Sequence, residues 1–541
     1  MYGSMEFKGA FAGVHYLANL KERLAERYAA RLDALYERLE SERVALDCVA
    51  DYGAWFQSFT QWLAALDATR RRYSPFRDRG TLEETALRGS PARIRPRLRA
   101  TGAHAEFHPQ VARRPQRARS PLMADHHFPQ WPGEGLTRIP HAVYTEEEIY
   151  EREQERIFRG ASWNYVGLEA EIPNRGDFVK SFVGETPVIV TRDAEDGVNV
   201  LVNRCPHKGV QFCQEVAGNT KTFACPYHQW SFDLKGSLQG LPFRRGVNGQ
   251  GGFSPEFDFA THGLDRLRTT THRGAIFASF SSETPPFEAY LGESNLGYFD
   301  RVFDGRRLRV LGKMKQRVAT NWKTLVENFK DPYHATLLHV FFATFGIWRA
   351  GQRTEVRIDP TGGSSTLVQM SPVVLEKQRA DEIEAGIAAQ MKVFKKDFMA
   401  LAEPAILRVL REFPEDEDTV TMQTLWPNCA IHQNLNSLGV RLALPRGPHA
   451  IEIQWTFFGY QGDSEEITER RLLHANFFGP GGLVTGDDIE VWQLNQRGVR
   501  TTPSGVCRVE AGGSSTADAD FVITESAVRA FYKHYRRVMG F

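Results

Sequence analysis

Cysteine is scarce in this chain: six residues in 541 (Cys48, Cys205, Cys213, Cys225, Cys429 and Cys507), too few and too scattered to build a disulfide framework. Charge of one sign is missing too. With 67 basic and 66 acidic residues the formal net charge is +1, so no global field draws nucleic acid or an anionic membrane. No apolar run approaches the roughly 18 to 20 residues that a membrane span requires. The N-terminus lacks a charged region, an apolar stretch and a small-residue cleavage site in succession, so the expected location is the cytoplasm. No Gly-x-Gly-x-x-Gly turn lies between a strand and a helix to hold a dinucleotide, and the glycine-rich run from Gly246 to Gly252 reads as loop. What is present is a globular composition, 42% hydrophobic and 25% charged, in a chain long enough for two or more cored domains.

The pattern changes along the chain. Leu17, Leu20, Leu24, Tyr28, Leu32, Leu35 and Leu39 recur near helical spacing and predict an amphipathic helix. From Arg70 to Ser120 the text turns dense in Arg, Pro and Ala without period, as a linker does. A nucleic-acid arm is disfavoured there because aromatic residues for base stacking are nearly absent. Met123 opens a better-patterned segment, and a chain starting at Met123 is expected to keep whatever chemistry the protein has.

Thr145-Glu-Glu-Glu148 predicts a capping box that starts a helix through about Phe158. Short strands at 187–192 and 198–203 around Asp196-Gly197, and at 230–234 before Lys235-Gly236, predict an all-β module ending near Phe280. Beyond Gly312 the expectation is mixed: a helix over 322–338, strands at 419–426, 430–444 and 451–460, and helices around 465–477, 488–496 and 521–538. Strands grouped between helices imply an α+β domain built on an antiparallel sheet.

Two constellations carry chemistry. Cys205-Pro-His207 and Cys225-Pro-Tyr-His228 supply two thiolates and two imidazoles, each pair at a turn between predicted strands. Two Cys on one iron and two His on the other is the ligand set of a Rieske [2Fe–2S] cluster. A structural zinc site has the same composition, but its arms ordinarily pair Cys with Cys and His with His, whereas each arm here is mixed. Cys213 reads as a small buried residue, and Gln229 and Trp230 are expected to pack over the cluster.

The second constellation lies in the run from Asn321 to His339, where Glu327, Asn328, Asp331, His334 and His339 interrupt an otherwise apolar stretch. Burying that many polar groups requires a reason. His334 and His339 are five apart, so a local irregularity beside Pro332 is needed to bring both onto one metal. A carboxylate from Asp331, Glu327 or the pair Asp487-Asp488 would complete a 2-His-1-carboxylate triad with open positions on Fe(II). Alone, two such histidines are more often satisfied core residues; the cluster motif reverses this, because a one-electron centre needs an acceptor.

With both motifs in view, the chain resembles the large (alpha) subunits of the Rieske non-haem iron aromatic ring-hydroxylating oxygenases from about Pro129 to Gly540, through Cys-x-His-x₁₇-Cys-x₂-His and Asp-x₂-His-x₄-His. The stretches 158–173, 241–247 and 342–349 look most like the branch acting on substituted benzoates such as salicylate, anthranilate and terephthalate. The resemblance implies an all-β Rieske domain at 166–285 and a catalytic domain of antiparallel sheet flanked by helices at 286–541. Residues 123–165 would be a helical segment of the latter, and 1–122 an extension possibly outside the mature protein. It implies His334, His339 and Asp488 as iron ligands, with Trp492 and Gln496 behind Asp488. Asp331 would instead link His334 to His228 of a neighbouring subunit. It further implies an assembly of three large subunits, commonly with a small beta subunit, and electrons from NAD(P)H through a ferredoxin or reductase. For the substrate ring, the candidate positions are His432, Gln433, Asn434 and Asn436 on one expected strand, with Thr485. Arg441 is the candidate partner of a benzoate carboxylate, or else a member of a salt bridge. A bare electron carrier would leave about 260 residues after Phe280 without a role, and a zinc-stabilised interaction protein would be colourless.

Overall fold

The computed structural model describes residues 131–133, 135–339, 341–342, 353–370, 406, 408–413 and 418–541. The expected helix at 17–39, the Arg- and Pro-rich stretch, the boundary at Met123 and residues 343–349 lie outside them.

The first seven-stranded sheet runs β2-β11-β10-β5-β4-β3-β6, every pair antiparallel. Its strands are β2 (Asn164–Leu168), β3 (Asp177–Val183), β4 (Thr186–Arg192), β5 (Val198–Val202), β6 (Ala217–Asn219), β10 (Arg266–His272) and β11 (Ala275–Ser279). It starts at Asn164, two residues before the expected boundary. The β4–β5 hairpin turns at Asp196, with φ at +73°, because the Asp193 carboxylate accepts from the Glu195 and Gly197 amides at 2.9 Å each. A small sheet of β7 (Thr222–Ala224), β8 (Ser231–Asp233) and β9 (Leu238–Gly240) follows.

The second seven-stranded sheet, order β12-β18-β17-β16-β15-β14-β13, is also antiparallel throughout. It comprises β12 (Leu308–Val318), β13 (Thr354–Ile358), β14 (Ser365–Met370), β15 (Asp418–Leu425), β16 (Cys429–Asn434), β17 (Ser437–Pro445) and β18 (Ile451–Tyr460). Residues 430–444, expected as one strand, form a hairpin. Leu435 takes φ +57° and the chain reverses there, between Asn434 and Asn436, at a corner that has no glycine. Every residue of β16 and β17 is buried, because both faces of the sheet are covered. On one face Cys429, Ile431, Leu438, Val440 and Phe458 pack with Phe287, Leu291 and Phe299. On the other, Ala430, Ala443, Ile453, Trp455 and Phe457 pack with Trp322, Leu325, Val326 and Phe329. Alternation along each strand divides the residues between the two faces.

The helices are α1 (Ala142–Thr145), α2 (Glu147–Glu153), α3 (Phe287–Val302), α4 (Trp322–Lys330), α5 (Ala335–Leu338), α6 (Glu465–Phe478), α7 (Leu483–Thr501) and α8 (Ser526–Met539). The capping box expected at Thr145 does not form. Thr145 closes α1 with its hydroxyl donating to the His141 carbonyl at 3.2 Å, and α2 begins after Glu146 without a side-chain cap. A preceding helical turn offered Thr145 a carbonyl to bond instead. The helix reaches Phe158 as expected, its last turn in π geometry over Gln154–Phe158. The single helix expected over 322–338 divides into α4 and α5, and that expected from Asp488 starts five residues earlier, at Leu483.

A buried ion pair joins these helices. The Lys323 ammonium lies 2.6 Å from Glu153, neither side chain has any exposure, and Trp322 Nε1 and Tyr535 Oη donate to the same carboxylate at 2.7 and 2.6 Å. Removing one partner leaves a buried charge uncompensated. Lys323→Met is therefore expected to lower the unfolding free energy by ~3–5 kcal/mol in denaturant titration, and the double variant with Glu153→Gln to recover part of that loss.

Candidate functional site

Cys205 follows β5, and Cys225 opens the tip of the β7–β8 hairpin, so each Cys/His pair sits on a loop at a strand end. The two loops share a hydrogen-bond plan. Cys205 N–H donates to the Val210 carbonyl and Cys225 N–H to the Trp230 carbonyl, both at 2.8 Å. The Gly209 and Gln229 amides donate back to the cysteine carbonyls at 2.9 Å. Both closures need positive φ at the fourth residue after Cys, +73° at Gly209 and +59° at Gln229. Gln229 thus serves the turn and is exposed rather than packed over the donors. Trp230 is buried and stacks on His207 with ring centroids 4.9 Å apart. The His207 and His228 rings lie 4.4 Å apart, both cysteines are buried, and His207 Nδ1 is buried without a partner. No three of these four donors fall within 4.8 Å of one another, as donors to a single zinc ion would. Cys213 is a buried residue, its backbone held by Asn203 at 3.0 and 2.8 Å.

Three donors do converge elsewhere among the described residues: His334, His339 and Asp488. The convergence starts from Pro332, which disfavours helical backbone at the residue before it. Asp331 accordingly takes φ −110°, ψ 96° and ends α4. The chain restarts as the one-turn α5, with His334 at its N-cap and His339 at its C-cap, bringing the two rings to 5.3 Å. Asp488, on the second turn of α7, places Oδ1 3.5 Å from Nε2 of each histidine.

The tautomer of His334 follows from its neighbours. Nδ1 lies 2.6 Å from the Asp331 carbonyl oxygen, which can only accept, so Nδ1 carries a proton and Nε2 is the nitrogen that faces the site, where a bound cation would displace any proton it holds. The Asn328 amide, 3.1 Å from His334 Nε2 and 3.1 Å from Asp488 Oδ1, donates into the same space. Burial disfavours charge on His334, but the Asp331 and Asp488 carboxylates outweigh it and push it up to about 10. Burial likewise opposes the Asp488 carboxylate, yet its contacts with His334, His339 and Asn328 hold it below the usual range, in the ionised form a cation needs.

The other carboxylates stand apart. Asp331 Oδ1 accepts from Tyr333 N–H at 2.7 Å and its Oδ2 lies 3.6 Å from His334 Nδ1, on the far side of the ring from the converging donors. Asp487 approaches His339 Nδ1 at 3.6 Å. Glu327 turns away to accept from Tyr532, and burial pushes it up to about 7. Gln496 accepts from Asn321 N–H, the N-cap of α4, at 2.8 Å and donates to the Tyr144 carbonyl at 3.1 Å, pinning α7 to α4; Trp492 is buried on the same helix.

The candidates of the expected ring-binding strand do not all share one face. His432 pairs across from Met422 and Gly439, on the α4 side of the sheet; Asn434 shares that face. A Cβ on Gly439 would meet His432 Cε1 at 2.5 Å, so only glycine leaves room for that imidazole, whose two nitrogens are both buried without a partner. Gln433, one residue along, points to the opposite face and accepts from Arg301 at 2.8 Å. Asn436 lies beyond the turn, clamping the backbone of Leu410 at 2.9 and 2.8 Å. Neither shares the His432 face, because strand alternation and the hairpin turn override sequence adjacency. Thr485 is buried with its hydroxyl donating to the Phe478 carbonyl at 2.8 Å. Among the described residues Arg441 is in no salt bridge. Its guanidinium lies over Trp455 and Phe329, 4.2 and 4.6 Å from the ring centroids, with one long bond of 3.4 Å to the Phe478 carbonyl and Nε unpartnered.

The comparison with known families bears on both sites. A model described as the Rieske [2Fe-2S] domain matches residues 162–250, and one described as the ring hydroxylating alpha subunit (catalytic domain) matches residues 305–540. The chain is 43% identical over 430 residues to the large oxygenase component of salicylate 5-hydroxylase from Ralstonia sp, covering 79% of this chain and 99% of that one. It belongs to the Rieske ring-hydroxylating oxygenase alpha-subunit family.

Other members of this family are similarly near. The large subunit of anthranilate 1,2-dioxygenase from Burkholderia cepacia is 40% identical over 419 residues, covering 77% of this chain and 96% of that one. The solved naphthalene 1,2-dioxygenase from Rhodococcus sp. shares the fold with a TM-score of 0.62 at 23% identity, over 75% of this chain and 96% of that one. The protein is thus a Rieske non-haem iron oxygenase, whose Rieske domain implies a [2Fe–2S] cluster and whose catalytic domain implies a mononuclear iron. The donors fit both: two mixed Cys/His loops for the cluster, and two imidazole lone pairs with one ionised carboxylate for the iron. No helix of the described residues is long and apolar enough to cross a membrane.

Asn328 is the site residue that sequence reasoning passed over. It stood in the polar run of 321–339, and its signal was a neutral amide on a helix whose neighbours Val326 and Phe329 are core. Asn328→Leu is expected to leave the visible cluster spectrum intact and to weaken retention of the mononuclear iron by ~10 to 100-fold, read by metal analysis after dialysis.

Proposed function

We propose that this chain hydroxylates the ring of a substituted benzoate of the salicylate or anthranilate kind, with O₂ and with electrons that originate in NAD(P)H and arrive through a separate ferredoxin or reductase. Terephthalate is the second substrate to consider, since a relative 38% identical is the alpha 2 subunit of terephthalate 1,2-dioxygenase from Comamonas sp. The observation that carries the reading is Arg441. Burial lowers it to about 9, so it is still cationic near neutral pH, and the charge of Asp488 is near enough to act on it. A buried guanidinium with one long hydrogen bond is costly unless an anion joins it, and a carboxylate matches its planar fork.

In this reading His334, His339 and Asp488 hold the iron, and Cys205, Cys225, His207 and His228 hold the cluster. When bound, the iron activates O₂ and the cluster supplies the electron that completes the hydroxylation. The chain's own groups position the ring. Arg441 fixes the carboxylate, Trp455, Phe457 and Phe329 offer apolar walls, and His432 and Asn434 present polar groups from the same face. Asn328 holds Asp488 in place. The Rieske domain occupies 166–285 and the catalytic domain 286–541 with 123–165. Three copies assemble head to tail, with or without a small beta subunit. The exposure of His228 and the position of Asp331 beside His334 suit a hydrogen-bonded link between neighbouring copies.

Arg441→Gln is expected to lower kcat/KM for salicylate or anthranilate by ~10 to 100-fold, the loss of one charged hydrogen-bond pair. It should matter little for a neutral ring such as toluene. Equal effects on charged and neutral substrates would remove the carboxylate assignment.

Asp331→Asn is nearly isosteric but takes away the charge. The visible spectrum, the assembly and most of the mononuclear iron should persist while turnover nearly stops. Mixing pre-reduced protein with substrate and O₂ and following cluster reoxidation measures this directly; reoxidation at the parent rate would rule out the bridging role.

A further inference from the structure

We propose that Trp230 is a positioning residue that sets the reduction potential of the cluster by roofing His207; the proposal rests on the reading of His207 as a cluster ligand. The indole and imidazole planes are within 3° of parallel at a centroid distance of 4.9 Å, and Trp230 is 4% exposed. Its backbone is fixed by the same loop, since the Trp230 carbonyl accepts from Cys225 N–H at 2.8 Å.

The roof is itself boxed in. Phe253, Phe257 and His262 meet the indole edge-on at 6.2, 5.9 and 6.2 Å, and Phe257 stacks on His262 at 4.1 Å. All three come from the segment directly after the glycine-rich run at 246–252. That run reverses the chain and returns an aromatic lid over one side of the cluster loops. The second imidazole has no such cover: His228 is exposed, with the exposed Tyr227 against it.

Two physical consequences follow for His207. Ligand imidazoles are ordinarily oriented by a hydrogen bond from the second ring nitrogen to a carbonyl or carboxylate. Among the described residues nothing hydrogen-bonds either ring nitrogen of His207, and Nδ1 is buried and unpartnered, so the stack on Trp230 is what sets the ring plane. The second consequence is dielectric. One-electron reduction takes the cluster with its two thiolates from neutral to singly negative. Water at the His207 face would stabilise the reduced form; an aromatic roof withholds that water and keeps the potential lower.

The test is a redox titration of the full-length holoprotein, followed in the visible spectrum and by electron paramagnetic resonance. Trp230→Leu, similar in apolarity but unable to stack or cover, should raise the midpoint potential, with an expected shift of about tenfold in the one-electron equilibrium, about 59 mV. Trp230→Phe should restore the parent value. A parent-like potential in Trp230→Leu, or an equal shift in Trp230→Phe, would overturn the proposal. Should Trp230→Leu fail to hold its cluster, Phe257→Leu loosens the indole without removing it. A smaller rise there supports the roof, and an unchanged potential overturns it. Parent protein without a Rieske spectrum would instead defeat the ligand reading on which the proposal rests.

Discussion

Pro332 imposes the constraint from which the catalytic centre follows. In an uninterrupted helix, residues five apart project about 140° from one another. His334 and His339 would then face different surroundings and no single ion could take both. Because proline excludes helical backbone at Asp331, α4 stops at Lys330 and the two histidines become the caps of a separate one-turn helix. The same break exposes the Asp331 carbonyl as the acceptor that fixes the His334 tautomer at 2.6 Å. One imino acid therefore sets ring position and lone-pair direction together. Asp488 can meet both rings only because Gln496, two turns further along α7, ties that helix to the N-cap of α4 at 2.8 Å.

The two centres are built on opposite plans. The cluster loops are hairpin-like and nearly self-sufficient: each closes on its own cysteine through backbone bonds, so the donors need little from the rest of the domain. The donors proposed for the iron come from two helices 149 residues apart in sequence, from His339 to Asp488, and converge only through tertiary packing. This difference explains why the first spacing motif contains all four cluster donors while the second contains the two histidines but not Asp488.

Legibility in the sequence follows the same division. Ligand types and spacing in 205–228 point to a two-iron cluster from the sequence alone, and of the seven strands of the first sheet the two expected beside a turn signal, 187–192 and 198–203, lie within a residue of β4 and β5. At 331–339 the residues left the carboxylate open among Asp331, Glu327 and Asp487-Asp488; only resemblance selected Asp488, and the convergence of donors now agrees with it. What stayed hidden was tertiary. The corner at Leu435 is marked only by the Asn434, Asn436 and Ser437 around it, a signal easily overlooked beside an otherwise strand-like run, and Gln433 and Asn436 leave the His432 face because the chain alternates and then reverses there. Thr145 had the right neighbours for a cap, but a preceding helical turn claimed its hydroxyl. Asn328 matters because of what stands opposite it, which no local pattern encodes.

The alternation that misplaced Gln433 also explains how one sheet serves two purposes. Its α3 face is closed scaffold: Ile431, Val440 and Phe458 are packed by Phe287 and Phe299, and Gln433 accepts from Arg301 at 2.8 Å. Its α4 face carries His432 without a hydrogen bond and Arg441 with one long one. Gly439 is the hinge of that arrangement, since any Cβ would displace the His432 ring at 2.5 Å. In the proposed reading these polar groups of the α4 face meet the substrate ring and its carboxylate, while the apolar residues between them hold the fold.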